Sequence, residues 1–458
     1  MRATSEYERK LDAPSGFRLP PLGGSPLEPR VFSSVYYDVP GRSLAAAGIT
    51  LRRRTERGLS VWQLKLPGED SRLELEFEGP RKPPGELLDL LHAHLRHGAL
   101  ERVAELRTRR RGELVARNGT TAEVTIDEVA VMDARRVLDR FVEVEVELRK
   151  GSPAQLDALA EELAEAGAEP GAGTAKVFRT LNRGPESPSP RTPFEALRDR
   201  LREQLREIER HDPGTRLGRD PESLHDMRVG VRRLRALLRA GKELVATDTT
   251  ELDARLKQLG RVLGDVRDLD VLLERLEGEA AGLGGEDARN ARSLFDALRT
   301  ERKRCRRRLM TFLRSTGYLS LLDETAQTLE ELEPSESDAS LDQLADKAFG
   351  KAAKAVRKLP DEPADEELHA VRKKGKHARY AGELAERKKF VKQAKVLQDV
   401  LGEHQDAVVA TERLHALAAQ ATPEQALAAG RLVQLEETRR AEAREAWPKA
   451  WNKLAKTL

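Results

Sequence analysis

The hydrophobic period of this chain changes once, and that change limits the possible folds more than any other feature. Up to about residue 182, apolar and polar residues alternate in short runs; beyond residue 193, apolar residues recur every three or four positions to the end. A strand turns successive side chains to opposite faces, whereas a helix gathers residues i, i+3 and i+4 on one stripe. The two patterns therefore build two separately packed parts. Between them lies Arg183–Pro193, RGPESPSPRTP, which offers almost nothing to bury and reads as a linker. The expected domains are 1–182 and 194–458, joined by 183–193, and a chain of 458 residues is too long for one ordinary core.

The first part carries alternating runs at Glu6–Leu11, Ser33–Tyr37, Ile49–Arg54, Ser60–Leu66, Arg72–Phe77, Thr121–Val129 and Phe141–Leu148. They predict an antiparallel sheet, and Leu87–Arg96 and Pro153–Ala166 have helical spacing, so this part is α+β. The second part consists of long Leu/Ala/Arg/Glu segments with breaks expected near Pro213, Thr247–Thr249, Gly282–Gly285, Pro334, Pro360–Pro363 and Pro423. It also repeats itself. Leu224-His225-x-x-Arg228 recurs as Leu368-His369-x-x-Arg372, and Leu263-Gly264-x-x-x-Asp268 recurs as Leu401-Gly402-x-x-x-Asp406. This order predicts an all-α domain of two pseudo-symmetric helical bundles, about 194–333 and 341–458.

Charge decides which partners to consider. The 81 Lys and Arg nearly cancel the 78 Asp and Glu, so affinity for a polyanion has to come from local segregation of charge. The single cysteine, Cys305, excludes an intrachain disulfide and a multi-cysteine metal site. The opening MRATSEYERKLD has no signal-peptide core, and there is no apolar run of membrane-spanning length, so the expectation is a cytoplasmic protein with no membrane partner. Aromatics make up 4% of the chain, too few for a base-stacking platform, and no specific nucleic acid is expected.

In the first part, alternation puts Glu6, Glu8 and Lys10 on one strand face, and Glu143, Glu145 and Glu147 on one face of another. Arg52 with Arg54, Lys65, and Arg107 with Arg109 add cations in the same alternating manner. A solvated outer face has the same period, so alternation alone leaves both readings open. If the sheet closes into a barrel, the rows face one another across a lumen that needs a ligand of both signs, and a triphosphate with divalent cations meets that need.

Glu6-Tyr7-Glu8-Arg9-Lys10 resembles the ExExK signature of the CYTH superfamily, the triphosphate tunnel metalloenzymes. The ordered succession of Tyr36-Tyr37-Asp38, Arg52, Arg54, Lys65, Glu74, Glu76, Arg107, Arg109, the three glutamates and Lys176 extends that resemblance over most of residues 4–182. The family's usual serine–lysine pair stands here as Thr174-x-Lys176, which keeps the hydroxyl. The resemblance implies an eight-stranded antiparallel β tunnel that holds a triphosphate with Mg2+ or Mn2+. It assigns Glu6, Glu8, Glu145 and Glu147 to the metal, and Lys10, Arg52, Arg54, Lys65, Arg107, Arg109 and Lys176 to the phosphate chain.

In the second part, His225, Arg228, Arg232, Arg235 and Arg239 form one basic helical stripe, and His369, Arg372, Lys376 and Arg379 form another. Lys351, Lys354 and Lys358 extend the basic surface. The histidines form no HxxxH pair and sit among arginines, which argues against metal ligation. Residues from about 194 to 458 resemble a CHAD domain, a helical module often joined to CYTH, with Arg233 replaced by His377 and Arg267 by Gln405 in the second half. That resemblance implies binding of long-chain polyphosphate, and with it association with polyphosphate granules. The combined expectation is metal-dependent hydrolysis of inorganic triphosphate. The alternatives are thiamine triphosphatase or class IV adenylyl cyclase activity, or a nonenzymatic polyphosphate-binding protein.

Overall fold

The computed structural model describes residues 1–170 and 192–457, apart from Arg42, 69–71, Pro80 and His97. The described residues form two compact units, the first holding 1–170 together with Asp212–Leu217 and the second the remainder.

The first unit is one antiparallel sheet of β1 (Arg2–Glu6), β2 (Glu8–Ala13), β3 (Ser25–Pro26), β4 (Arg30–Asp38), β5 (Thr50–Glu56), β6 (Leu59–Pro67), β7 (Arg72–Glu78), β8 (Glu101–Arg117), β9 (Thr120–Asp133), β10 (Arg136–Lys150) and β11 (Glu169–Pro170). The ladder runs β1-β7-β6-β5-β4-β8-β9-β10-β2, with β3 added to β8 and β11 to β2. Its two ends are consecutive in sequence: β1 bonds β7, β2 bonds β10, and only Tyr7 separates them. The Tyr7 carbonyl accepts from the Leu148 N–H at 2.9 Å, so the interrupted strand joins both edges and the sheet closes into a tunnel. With β1 and β2 counted as one strand, eight strands form the wall. Closure leaves no long edge to solvent. Gly112 permits close approach of β8 to β9, since a Cβ there would lie 2.2 Å from the Val124 carbonyl oxygen.

The tunnel reverses the usual arrangement of a small barrel by turning its apolar face outward. Leu51, Trp62, Leu64, Leu75 and Phe77 pack beneath α2 (Gly85–Leu90), which contributes Leu87 and Leu90. Leu11, Val124, Ile126, Val144 and Val146 pack beneath α4 (Pro153–Glu165), which contributes Leu156, Leu159 and Leu163. Burying each large side chain here stabilises by roughly 1.5–3 kcal/mol. The short α1 (Ser43–Ala46) and α3 (His92–Leu95) complete this layer. With the cores outside, the inner face is left to polar and charged residues.

The second unit is helical: α5 (Pro193–Leu217), α6 (Pro221–Ala240), α7 (Thr250–Leu283), α8 (Gly285–Leu294), α9 (Asp296–Leu313), α10 (Thr316–Glu330), α11 (Leu341–Val356), α12 (Asp365–Leu384), α13 (Lys388–Ala418) and α14 (Pro423–Ala455). The expected break at Pro213 is absent, because α5 runs through that proline to Leu217 and Gly218, at φ +68°, ends it. Buried Leu224, Met227, Val231 and Leu234 line one side of α6, as Leu368, Val371 and Ala378 line α12.

Candidate functional site

The pairing register fixes which side chains point into the tunnel, because directly paired residues share a face. Lys10 pairs with Glu145 and Glu8 with Glu147. Glu6 pairs with Arg72, which pairs in turn with Pro67 on β6, and Glu74 pairs with Lys65. Lys65 then pairs with Thr50, while Arg52 pairs with Gln63 and with Tyr36. Continuing round, Arg54 pairs with Ser34, Ser34 with Leu106, Thr108 with Val129, and Arg110 with Asp127. Glu6, Glu8, Lys10, Arg52, Arg54, Lys65, Glu145 and Glu147 thus share the inner face.

Arg107 and Arg109 do not. Both are exposed and belong to the opposite face of β8, paired with Ser33 and Val31 of β4. Arg110 takes the inner position, donating two hydrogen bonds of 2.7 Å to Asp127 and a third to Glu145. The register thus sets Arg107 and Arg109 outside the tunnel, against the expectation that they line it, and Arg110 inside; β8 is charged on both faces, so alternation cannot choose between them. Asp38 is structural, accepting from the backbone N–H groups of Val39, Leu44 and Ala45 at 2.7–3.0 Å. Lys176 and Thr174 lie outside the described residues.

Carboxylates and cations are interleaved at one side of the tunnel. Lys65 Nζ lies 2.5 Å from Glu6 and 2.9 Å from Glu74; Lys10 Nζ lies 3.0 Å from Glu145 and 3.6 Å from Glu8, which Arg72 also meets at 3.3 Å. Glu147 pairs with Arg149 at 2.7 Å. Burial alone would discharge these groups, yet the pairing holds Lys10 and Lys65 above the ordinary lysine range and Glu8 below the ordinary carboxylate range. Glu6 is the exception. Burial and a hydrogen bond with Glu74 raise it to about 8 against the pull of Lys65.

The other side is cationic. The Arg54 guanidinium stacks on the Phe32 ring at 3.7 Å, with Arg110 over the same ring at 5.6 Å, and Arg52 reaches Gln63 at 2.7 Å and the Tyr36 hydroxyl at 3.4 Å. Glu56 answers Arg54 and Arg30 at 2.8 and 2.7 Å. Even so, burial, followed by the charges of Arg52 and Arg30, lowers Arg54 to about 10. An arginine in that condition marks a place short of negative charge.

The donor chemistry fits a hard divalent cation, since Glu6, Glu8, Glu145 and Glu147 present carboxylate oxygens only. In this arrangement each is turned to a lysine or an arginine, and among the described residues no group of three His, Cys, Asp or Glu side chains converges as a ready metal cage.

In the helical unit the two HxxR helices are brought together. The Arg232 Nε donates to the Tyr380 hydroxyl across the two halves at 2.9 Å. Gly264 of α7 faces Arg228 so closely that a Cβ would lie 3.3 Å from its Nε, and Gly402 of α13 stands in the same relation to Arg372 at 3.5 Å from Nη2. The duplicated Leu-Gly-x-x-x-Asp segments therefore lie against the duplicated arginines, tightly at Gly264 and at ordinary contact distance at Gly402. Asp268 accepts from Arg228 at 3.0 Å, whereas Arg232, Arg372 and Lys376 form no ion pair among the described residues. Lys376 is driven down to about 7, first by burial and then by Arg372, Arg232, Arg228 and Arg379. Arg228 and Arg372 are lowered for the same reasons, burial first.

The rest of each stripe is engaged elsewhere: Arg235 and Arg239 bond Asp253 at 2.9 and 2.7 Å, and Arg379 bonds Glu383 at 3.0 Å. The expected continuous stripe therefore narrows to four cations from two helices. Burial lowers His225 and His369, with further lowering from Arg267 and Lys373 respectively, so both favour the neutral form.

Comparison with known proteins identifies both parts of the chain. The CYTH domain family matches residues 4–180, and the CHAD domain family matches 199–415. The protein belongs to the CYTH–CHAD family. An uncharacterized protein of Mycobacterium tuberculosis is 31% identical to it over 499 residues, covering 99% of this chain and 97% of the relative. Among solved structures, PptA from Streptomyces chartreusis aligns at 25% identity and TM-score 0.49, covering 57% of this chain and 99% of its own. The CHAD domain of the plant Ricinus communis aligns at 26% and 0.49, covering 60% and 95%. Membership in the CYTH–CHAD family carries a general role in triphosphate and polyphosphate chemistry, as hydrolase or cyclase, and CYTH domains are generally metal-dependent. No helix among the described residues is long and apolar enough to cross a membrane.

Proposed function

We propose that the CYTH tunnel hydrolyses inorganic triphosphate with Mg2+ or Mn2+, and that the CHAD domain binds long-chain polyphosphate and brings the enzyme to polyphosphate granules. The observation that carries this reading is the mixed inner face: Glu6, Glu8, Glu145 and Glu147, suited to a dication, stand beside Lys10 and Lys65 on one side, and the under-compensated Arg54 lies with Arg52 on the other, Arg110 reaching across to Glu145. A chain of phosphoryl groups with a bound cation satisfies both sides at once.

Glu6, Glu8, Glu145 and Glu147 would hold the cation, which supplies charge neutralisation at phosphoryl oxygens when bound. Arg52, Arg54 and Arg110 orient the phosphate chain and take up charge as the terminal P–O bond breaks. Lys10 and Lys65, which bond Glu145 and Glu6 within the wall, would contribute further positive charge to phosphoryl oxygens. Water attacks the terminal phosphorus, giving phosphate and pyrophosphate.

The test is turnover of tripolyphosphate, thiamine triphosphate, ATP and long-chain polyphosphate with and without Mg2+ or Mn2+, read as phosphate, pyrophosphate and cyclic nucleotide. The expected result is metal-dependent release of phosphate and pyrophosphate from tripolyphosphate. Preferential formation of cyclic nucleotide from ATP would make the tunnel a cyclase, preference for thiamine triphosphate would change its substrate, and binding without turnover would leave a nonenzymatic polyphosphate protein. The domain limits 1–182 and 194–458 are tested alongside: the first fragment should hydrolyse tripolyphosphate and the second should bind polyphosphate without hydrolysing it.

A further inference from the structure

A groove of about 480 Å³ in the second helical half has walls that carry cations and no carboxylate. One wall is α11 and the residues just after it, with Lys351, Lys354 and Lys358; the other is α12, with Lys373, Lys374 and His377. Only alanines and Arg239 complete the lining. Two other grooves in this unit, by contrast, mix signs: one has Glu203, Glu383 and Glu386 beside its arginines, the other Asp346 and Glu386 beside its lysines. In a chain with 81 basic and 78 acidic side chains, a groove lined by one sign is a segregation of charge that neither composition nor helical period requires.

The five lysines are exposed, and among the described residues none of them forms an ion pair; Arg239 is the one groove cation with a carboxylate, Asp253 at 2.7 Å. Lys354 lies in the last turn of α11, where a cation also eases the helix dipole, but Lys373 and Lys374 sit in mid-helix and have no such reason. His377 is lowered by burial first, then by Lys351 and Arg239, as befits a ring among uncompensated cations.

The groove is separate from the four-cation cluster. At 3.6 residues per turn, Lys373, Lys374 and His377 lie about 100–200° around α12 from Arg372, whereas Lys376 and Arg379 lie within about 40° of it. It is also not part of the duplication, since Val229 and Gly230 hold the positions in α6 that correspond to Lys373 and Lys374.

We infer that this groove is a second phosphate-polymer site, at which a long polyphosphate already held by the Arg228/Arg232/Arg372/Lys376 cluster is gripped again on the far side of α12. The inference rests on the polyphosphate reading of the CHAD domain. Opposite faces of a helix are separated by its width, roughly 10–12 Å, so only a chain long enough to pass around α12 engages both sites. The second contact is then intramolecular and raises affinity for long chains without a new partner.

The test compares two full-length variants for binding of long-chain polyphosphate across a salt series, with circular dichroism confirming that each is folded. Neutralising the groove as Lys351→Gln, Lys354→Gln and Lys358→Gln should weaken binding on the order of tenfold. It should also reduce the slope of log affinity against log salt by about 2, at roughly 0.7 per phosphate contact for a single-stranded polyanion. Wild-type affinity and slope in the folded groove variant, alongside loss in the variant neutralised at Arg228, Arg232, Arg372 and Lys376, would overturn the groove and leave the central site standing. A wild-type chain that binds no polyphosphate would overturn the parent reading, and the groove with it. Displacement of polyphosphate from the groove by single-stranded DNA at equal charge concentration would reassign the groove to nucleic acid and overturn the present inference.

Discussion

The tunnel and the four-cation cluster of the CHAD domain use the same residue types in opposite ways. In the tunnel, antiparallel register sets lysine opposite glutamate, as in Lys10 with Glu145 and Lys65 with Glu74, so most buried charges meet their counterions within the wall itself. In the helical unit, two copies of one motif converge, and like meets like: Lys376 faces Arg372, Arg232 and Arg228. The first arrangement is stable without a ligand and has to open its ion pairs to accept one. The second holds its cations in mutual repulsion, which a bound anion would relieve. Pairing suits a site that selects a small anion together with a cation, whereas uncompensated charge suits a polymer held by its charge alone.

The largest test of this contrast is Glu8→Gln. It keeps size but removes a carboxylate next to Lys10 and Arg72, and turnover of tripolyphosphate should fall by at least about 100-fold, beyond the loss seen when only outer-shell partners of a metal are removed. The circular dichroism spectrum should stay that of the wild type; unchanged metal-dependent turnover in the folded variant would sink the assignment.

Neutralising Arg228, Arg232, Arg372 and Lys376 together addresses the other region. Polyphosphate affinity should fall roughly 100-fold at low salt, the scale expected when several phosphate contacts are lost, while tripolyphosphate turnover survives. A titration and a phosphate-release assay on the same preparation decide it, and a parallel loss of turnover would mean that the two regions are coupled.

A finer comparison lies within β8. Arg110→Lys keeps the charge that Asp127 needs but loses the two-pronged contact, and kcat/KM should drop about tenfold or more. Arg109→Ala, on the outer face, should stay within about twofold, in line with surface substitutions. Equal losses in the two variants would contradict the register.

The smallest expected effect concerns Lys376→Met. Lys376 titrates near 7 in the fold, against about 10.4 in an unfolded chain, so between these values the unfolded state binds more protons and ligand-free stability rises with pH. Below about 7 the repulsion is fully present. Removing the charge should raise the ligand-free Tm at pH 6 by roughly 2–4 °C, the shift about 1 kcal/mol produces in a domain of this size, and should flatten the pH dependence. Polyphosphate affinity of the wild type should weaken as pH rises through 7, because binding then requires uptake of a proton at Lys376. Calorimetry at pH 6 and 8.5, with and without polyphosphate, measures both.

The two periods, the linker composition and the repeated His-x-x-Arg and Leu-Gly-x-x-x-Asp segments were legible in the amino-acid order, because each is a local regularity. The alternation of Glu143, Glu145 and Glu147 with Val142, Val144 and Val146 was legible as well, but it left open whether the carboxylates face solvent or a lumen, and closure of the sheet decided that. The choice between Arg109 and Arg110 was not legible. Moving one residue along a strand exchanges its faces, β8 bears arginine on both, and pairing of Arg110 with Asp127 across β9 makes the decision. Helical period likewise grouped Arg228 and Arg232 with Arg235 and Arg239, but packing against α7 gave Arg235 and Arg239 Asp253 and Arg228 Asp268, while Arg232 reaches Tyr380 of the second half. Sequence determined which residues can share a face; the tertiary structure decided what each face meets, because counterions and opposing charges arrive from segments distant along the chain.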